Sequence, residues 1–174
     1  MNAKGLAIFS AFRAGMWFAG TAGSGVVVAR LGDSAWSPPS AFSVKSAAFG
    51  LTLGIDHFDC VCVLNTEEAV DGYRKSELTM GGRMDLAAGP VGGAFKGGET
   101  KPVWTYTRSR GLYGGVTMDG TAIKTQDESN AEFFGAQVST SEILSGMVEG
   151  QSGAAQWPAG AAQLTTVLSA FEKV

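Results

Sequence analysis

Short apolar runs separated by glycine, aspartate and proline fill residues 6–124, and this punctuation constrains the fold more than any single motif. Such runs are typical of antiparallel β-strands joined by tight turns. The clearest case is residues 78–88, where apolar and polar side chains alternate with a period of two. We therefore predict that strand exceeds helix. We also predict that the apolar face of this run is buried (Leu78, Met80, Met84 and Leu86), with Arg83 on the opposite, solvated face.

Two further signals refine the predicted sheet. Residues 59–64 are apolar at both odd and even positions, which indicates a central strand buried on both faces. Within this run Cys60 and Cys62 point to the same side of the strand, a poor geometry for a mutual disulfide, so we predict reduced thiols in the core. The dipeptide Asp119-Gly120 predicts a two-residue hairpin turn.

Helical signals are confined to one internal segment and to the C-terminal third. Asn65 or Thr66 can cap a short helix that has glutamates in its first turn. After residue 124, residues 129–132 and 139–142 both fit a capping box, and Pro158 fits the first position of a last helix.

These signals predict an α+β fold. We expect a mainly antiparallel, strongly twisted or barrel-like β-sheet, with a short central helix and C-terminal helices packed on it. Hydrophobic residues are 45% and charged residues 17% of the 174 residues, which is enough apolar material for one core. We therefore predict a single domain over residues 1–174.

Composition also excludes several functional classes. The uncharged stretch 14–29 is shorter than the roughly 20 residues that a membrane-spanning helix needs and is broken by glycines. The N-terminal residues lack the pattern of a signal peptide. A net charge of -3 argues against a globally basic nucleic-acid-binding protein.

The single histidine, His57, lies between Asp56 and Asp59 and is the only candidate for acid-base or metal chemistry. A zinc site needs two or three more ligands at suitable spacing, and the sequence offers none. A Ser-His-Asp hydrolase is poorly supported because no Gly-x-Ser-x-Gly elbow occurs. We therefore predict no catalytic residue, no metal and no cofactor, with a hydrolase using His57 as a remote alternative.

Positive charge is concentrated in two strand-rich segments. Residues 1–50 and 101–125 are net basic, whereas residues 51–100 and 126–174 are net acidic. In the second basic segment Trp104, Tyr106, Arg108 and Arg110 occupy alternate positions, so they share one face of a straight strand. They are either solvated strand ends or part of a patch that holds phosphate headgroups or an acidic protein surface.

Several ordered blocks of the sequence resemble the SYLF domain family. The blocks lie at residues 3–8 (AKGLAI), 23–30 (GSGVVVAR), 36–37 and 39–40, 64–70 (LNTEEAV), 81–82, 87–90 (AAGP), 106–116 (YTRSRGLYGGV), 133–135 (FFG) and 142–146 (EILSG). The resemblance covers nearly the whole chain. We expect the helical segment that precedes the first block in this family to be absent here.

The resemblance implies a non-catalytic domain that binds actin filaments and phosphoinositide-containing membranes in the cytoplasm, at cortical actin or endocytic sites, with self-association as a further possibility. The basic side chains that we expect to contact phosphate or acidic actin residues are Lys4, Arg13, Arg30, Arg108 and Arg110. The alternative is a carrier of a small apolar or lipid ligand, because a sheet that closes on itself can enclose a cavity.

Overall fold

The computed structural model describes residues 3–32, 35–75, 78–89, 91–96, 103–148 and 161–171; within its strands, residues 78–89, 91–96 and 113–119 are described by their backbone alone. The elements in chain order are β1 (Gly5–Leu31), β2 (Ala35–Trp36), β3 (Ser40–Leu64), α1 (Glu67–Arg74), β4 (Leu78–Gly89), β5 (Val91–Lys96), β6 (Val103–Ser109), β7 (Gly111–Thr125), α2 (Asp127–Phe134), α3 (Thr140–Leu144) and α4 (Ala162–Phe171). The predicted α+β class and the mainly antiparallel, strongly curled sheet are confirmed.

The centre of the sheet consists of three long antiparallel runs of strand, which we call tracks: β1, β3, and β6 followed by β7. Strands β1 and β3 pair along almost their whole length as a hairpin. Strands β6 and β7 follow each other along the other edge of β3 in one continuous register, with the single residue Arg110 between them. Strand β4 pairs with the far edge of β7, and β5 returns along β4.

The long hairpin is folded over at its middle. The pairing of β1 with β3 shifts between Met16 and Phe18, and the intervening Trp17 has a φ of 68°. Beyond this bend the second half of β1 packs across the first: a Cβ placed on Gly23 would lie 2.5 Å from the Cβ of Ala11, and one on Gly25 would overlap the carbonyl oxygen of Ile8. Only glycine permits this approach.

The hydrophobic core lies between the two halves of the folded sheet. Its buried members come from the inward-facing positions of the strands and from the helices that close one end (Ala7, Val27, Ala29, Phe42, Val44, Cys60, Cys62, Leu64, Val70, Tyr73 and Leu144). Burial, followed by the nearby thiols, raises the pKa of the Tyr73 hydroxyl. The prediction for the cysteines is confirmed: Cys60 and Cys62 are buried free thiols whose Sγ atoms lie 3.7 Å apart.

Helix boundaries agree with the sequence at two of the three predicted caps. The Thr66 side chain accepts a hydrogen bond from the Ala69 N–H, and Ser139 forms the predicted capping box with Glu142. The box predicted at residues 129–132 is wrong because α2 begins three residues earlier, after Gln126. Pro158 lies outside the described residues.

Two strand predictions need correction, while a third is confirmed in its backbone. Residues 59–64 are not buried on both faces: Val61 lies on the outer face and is 36% exposed, because no described layer packs over it. Asp119-Gly120 forms no turn, since β7 continues through it and is paired on both edges, which outweighs the local turn preference. The strand predicted at residues 78–88 is present as β4, but the burial of its side chains lies outside the described part of the structure.

None of the helices that the structure describes is long and apolar enough to cross a membrane.

Candidate functional site

The outer face of β1, β3 and β6 presents rows of register-paired side chains. Because strand side chains alternate, even positions of β1 and β6 and odd positions of β3 point outward. The first two rows end in exposed aromatic residues, Trp104 at 63% and Tyr106 at 64%. The third row contains Ser10, Asp59 and Arg108. Aromatic and charged side chains therefore share one surface, as the alternation in the sequence predicts.

Asp59 is the electrostatic centre of the third row. Its carboxylate accepts a 2.7 Å hydrogen bond from Ser10 Oγ and a 2.7 Å charge-assisted hydrogen bond from Arg110 Nη2. The Ser10 hydrogen bond is the main cause that holds the pKa of Asp59 below its usual value; desolvation opposes it, and the charges of Arg110, His57 and Arg108 add smaller lowering effects. Asp59 therefore stays ionised and offsets part of the positive charge of Arg110.

Arg108 is an exposed cation on this face. Among the residues that the structure describes, its guanidinium has no hydrogen bond or ion pair, although it lies close enough to lower the pKa of Asp59. A guanidinium with free N–H groups on a flat strand face offers its planar donor array to a phosphate or a carboxylate.

A groove of about 540 Å³ opens beside Arg108. Residues of β3, β6 and the first half of β1 form one part of its lining, and the second half of β1 forms the other. The polar and aromatic members include Ser10, Ser24, Asp59, Tyr106, Thr107 and Arg108. The volume lies within the roughly 300–1,000 Å³ range of small-molecule sites, and the groove joins an apolar floor to the arginine.

Lys4 and Arg30 lie together at a different place on the sheet. The Arg30 N–H donates a 2.8 Å hydrogen bond to the Lys4 carbonyl, so the two backbones are adjacent. Lys4 Nζ is 3.7 Å from Glu67 Oε1, and the Arg30 guanidinium lies over the Trp36 ring at 5.5 Å. Lys4 is six residues along β1 from Ser10, a distance of roughly 20 Å on an extended strand. The two basic segments therefore form two separate groups.

Arg13 lies in the interior. It is 7% exposed, its Nη2 is 3.1 Å from Asp56 Oδ2, and its guanidinium stacks over the Phe58 ring at 5.0 Å. Position 13 shares the inward face of β1 with Ala7 and Ala11, so the same alternation that groups the outer residues places Arg13 inside. Arg13 is therefore not part of the outer face that carries Arg108.

Sequence reasoning missed a large apolar surface at the bend of the hairpin, which we call the apolar corner. Its side chains are each at least half exposed (Phe12, Met16, Trp17, Phe18, Phe49, Leu51, Leu53, Ile55 and Leu112). A signal was present, because residues 14–29, 46–55 and 111–118 are all uncharged, and these stretches become neighbours in the sheet.

The surroundings of His57 offer no catalytic pairing within the described residues. Its side chain is exposed, and the hydrogen bonds recorded for the two flanking aspartates go to Arg13, Ser109 and Arg110 (Asp56) and to Ser10 and Arg110 (Asp59). No group of three or more histidine, cysteine, aspartate or glutamate side chains suited to a metal occurs in the described ranges.

Comparison with known proteins places these features in a family. The model of the family Ysc84, described as "Las17-binding protein actin regulator", matches residues 45–171. The chain is 41% identical over 155 residues to Protein YSC84 of Saccharomyces cerevisiae and 40% identical over 154 residues to LAS seventeen-binding protein 3 of the same species. It is 37% identical over 175 residues to the SH3 domain-containing YSC84-like protein 1 of Bos taurus.

These alignments cover most of this chain but only part of each relative. They span 85% of the chain and 33% of Protein YSC84, 84% and 34% for LAS seventeen-binding protein 3, and 98% and 49% for the bovine protein. The chain thus spans about a third to a half of the length of these relatives. No solved structure matches it.

Proposed function

The chain belongs to the Ysc84 (SYLF) family, and from that premise we propose that it is a non-catalytic binding domain that contacts actin filaments and phosphoinositide-containing membranes. We place its action in the cytoplasm, at cortical actin or endocytic membranes. The family description and the names of the relatives refer to actin regulation and to binding, not to a reaction.

The observation that carries the proposal is a line of outward-facing side chains along β6, Trp104, Tyr106 and Arg108, with Arg110 beside it. We call these four residues the outward row. A solvated strand end would need only the charges, whereas here two large aromatic rings lie exposed in line with the arginines. Exposed aromatic and arginine side chains are enriched at the energetic centres of binding surfaces. This arrangement favours a binding surface over strand ends that only contact solvent.

Actin filaments and phosphoinositide headgroups present the same chemistry to this row. Both offer oxyanions, carboxylates in the first case and phosphates in the second, and an arginine binds either through two parallel N–H donors. Because the contacts are exposed, salt must weaken binding, since the Debye length is only about 8 Å at physiological ionic strength.

The alternative, a carrier of a small apolar ligand, receives less support from the packing. The two halves of β1 meet through glycines with no room for a side chain, and the described core is filled by its own residues. The groove of about 540 Å³ opens at the surface and not inside the sheet. A carrier would require a ligand enclosed in the interior.

Cosedimentation with actin filaments and flotation with phosphoinositide vesicles test the proposal. The double variant Arg108→Ala/Arg110→Ala should weaken both interactions by roughly tenfold or more, since exposed charge-assisted contacts contribute on the order of 1 kcal/mol each and about 1.4 kcal/mol is a tenfold change. Lys75→Ala is the control, because Lys75 is an exposed cation at the C-cap of α1, away from the outward row. Binding that resists both salt and the double substitution would refute the proposed surface.

A further inference from the structure

We propose that the apolar corner inserts into the interface of an anionic lipid bilayer. This inference rests on the proposed membrane-binding function and adds a second site to it, distinct from the outward row. The corner would supply the apolar part of the contact, and the basic side chains on its flanks would supply the electrostatic part.

The first argument is the size of the exposed apolar area. Trp17, Phe18 and Phe49 are 60%, 71% and 63% exposed. An aromatic side chain has roughly 150–250 Å² of surface, so with Phe12 the four rings alone leave on the order of 500 Å² in solvent. That already reaches the size of the largest apolar patch on a typical soluble monomer, about 300–600 Å², before the aliphatic members are counted.

The second argument is the sharp bend of β1 at this surface, beside which Trp17, Leu51, Thr52 and Leu53 line a cavity of about 270 Å³. The inward sides of Gly15 and Ala19 come so close that a Cβ on Gly15 would lie 2.5 Å from the Ala19 Cβ. The strand therefore turns sharply between them, and Met16, Trp17 and Phe18 lie on the outside of the bend. A protruding tip enters a soft medium readily, whereas it offers little area to a rigid partner.

The third argument is the distribution of charge around the corner. None of the residues 14–29, 46–55 and 111–118 is charged, and these segments pair side by side. Four of the six residues that bound these segments are cations (Arg13, Arg30, Lys45 and Arg110), and the other two are Asp119 and Asp56, which is buried against Arg13. Arg110 is two residues before Leu112, about 7 Å along the strand, and Lys45 is four residues before Phe49 on the same face, about 13 Å away.

An uncharged tip between two cationic flanks matches the layers of an anionic membrane. Interfacial segments bury their apolar face about 5–10 Å into the boundary between headgroups and acyl chains. At that depth the arginine and lysine flanks reach the level of the headgroups, and tryptophan favours the same interface. A second copy of the chain fits less well, because corner-to-corner contact would bring like-charged flanks together.

Vesicle binding of the intact chain tests this inference. The probes are phosphatidylcholine vesicles with and without phosphatidylserine, prepared with brominated acyl chains that quench nearby tryptophan fluorescence. We expect the brominated anionic vesicles to quench the unmodified protein, and we expect most of that quenching to be lost in Trp17→Phe.

The affinity arm uses a matched pair of methionines. Met16 in the corner and Met147 after α3 are both 67% exposed, so Met16→Ser and Met147→Ser remove equal apolar exposure from different places. Met16→Ser should weaken vesicle binding by severalfold, and Met16→Ser/Leu53→Ser by tenfold or more, whereas Met147→Ser should leave it unchanged. The side chains are exposed, so thermal unfolding should be little affected in all three.

Three results would overturn the inference, each in a recognisable way. If the corner variants bind like the unmodified protein while Arg108→Ala/Arg110→Ala binds weakly, the membrane function stands and the insertion is refuted. If the unmodified protein binds neither these vesicles nor phosphoinositide vesicles, the proposed membrane function fails as well; if it binds only phosphoinositide vesicles, and does so without quenching by brominated chains, the insertion alone is refuted. If the corner variants instead convert a dimer to a monomer in sedimentation and bind vesicles normally, the corner is an interface between two copies.

Discussion

Arg13 and Asp56 are register partners on β1 and β3, and their side chains form an ion pair of 3.1 Å inside the sheet. The same carboxylate accepts hydrogen bonds from Ser109 Oγ at 2.5 Å and from the Arg110 N–H at 3.2 Å. Arg110 is the residue at which the third track changes from β6 to β7. The buried aspartate thus connects β1, β3 and the β6–β7 run at the point where β6 ends and β7 begins.

Breaking this pair should destabilise the fold strongly. The side chains of Arg13 and Asp56 are 8% and 0% exposed, so removal of Arg13 leaves the Asp56 carboxylate buried with its hydrogen bonds from Ser109 and the Arg110 N–H but without its counter-charge. We expect Arg13→Met to lower the free energy of unfolding by about 3–5 kcal/mol. Urea denaturation measures the loss.

The double variant Arg13→Met/Asp56→Leu is the control for this prediction. It removes both charges and should recover a large part of the stability, since a buried pair is often replaced by apolar residues at little cost. If Arg13→Met alone is as stable as the unmodified protein, the pair is not held away from water as the structure indicates.

Packing of the two halves of β1 predicts opposite outcomes at two glycines. A Cβ on Gly25 would overlap the carbonyl of Ile8 and the backbone of Phe9, whereas one on Gly20 would meet nothing within 4 Å. Gly25→Ala should therefore cost about 3 kcal/mol or more, at the upper end of the effects of overpacking, because backbone atoms cannot move aside easily. Gly20→Ala should change the melting temperature little. Equal effects of the two substitutions would contradict the fold of the hairpin.

The periodicity of the sequence was enough to predict the class of fold and the sidedness of the strands. Alternation placed Trp104, Tyr106 and Arg108 on one face, and the structure confirms that they point outward together. Short-range capping signals were equally reliable at Ser139, where the side-chain geometry is local.

Features that depend on distant neighbours were not predictable in the same way. Asp119-Gly120 looks like a turn in isolation but is fixed as strand by partners on both edges. Arg13 looks like a surface cation because its partner, Asp56, is 43 residues away in the chain. The apolar corner exists only because the hairpin folds over at Trp17, and no local pattern marks that bend.

The conformation of Trp17 predicts a substitution that separates stability from membrane binding. Its φ of 68° lies in the left-handed region, which costs roughly 1–2 kcal/mol for an L-residue with a side chain. Glycine avoids that cost but loses more conformational entropy on folding. Trp17→Gly should therefore be about 1 kcal/mol more stable than Trp17→Ala, which removes the ring and keeps the strain, while both should lose vesicle-dependent quenching. A chemical denaturation series of the two variants measures the difference, and equal stability would argue against the left-handed conformation.

The lowered pKa of Asp59 predicts how acid affects the outward row. A carboxyl whose pKa is lower in the folded state stabilises the fold fully above its unfolded pKa, near 3.9, and this contribution is lost as the pH falls through the folded value. The carboxyl should therefore remain ionised from pH 7 to below pH 4. Carboxyl NMR titration should show this, with a rise in the pKa of Asp59 in Ser10→Ala that exceeds the rise in Arg110→Ala. A pKa that is unchanged in Ser10→Ala would mean that the Ser10 hydrogen bond does not form in solution.

The ion pair between Asp59 and Arg110 predicts a gain of binding on substitution. While Asp59 is ionised it competes with an external oxyanion for the Arg110 guanidinium, so Asp59→Asn should release that guanidinium and remove one negative charge from the binding face. We expect severalfold tighter binding to anionic vesicles and to actin filaments, with a steeper loss of binding as salt is added, measured by flotation and cosedimentation. The matched control is Asp71→Asn: Asp71 also pairs with an arginine, Arg74, at 2.6 Å, but on α1 and away from the outward row, so its substitution should leave binding unchanged. Binding that falls or stays constant in Asp59→Asn would show that Arg110 is occupied in holding Asp59 and takes no part in recognition.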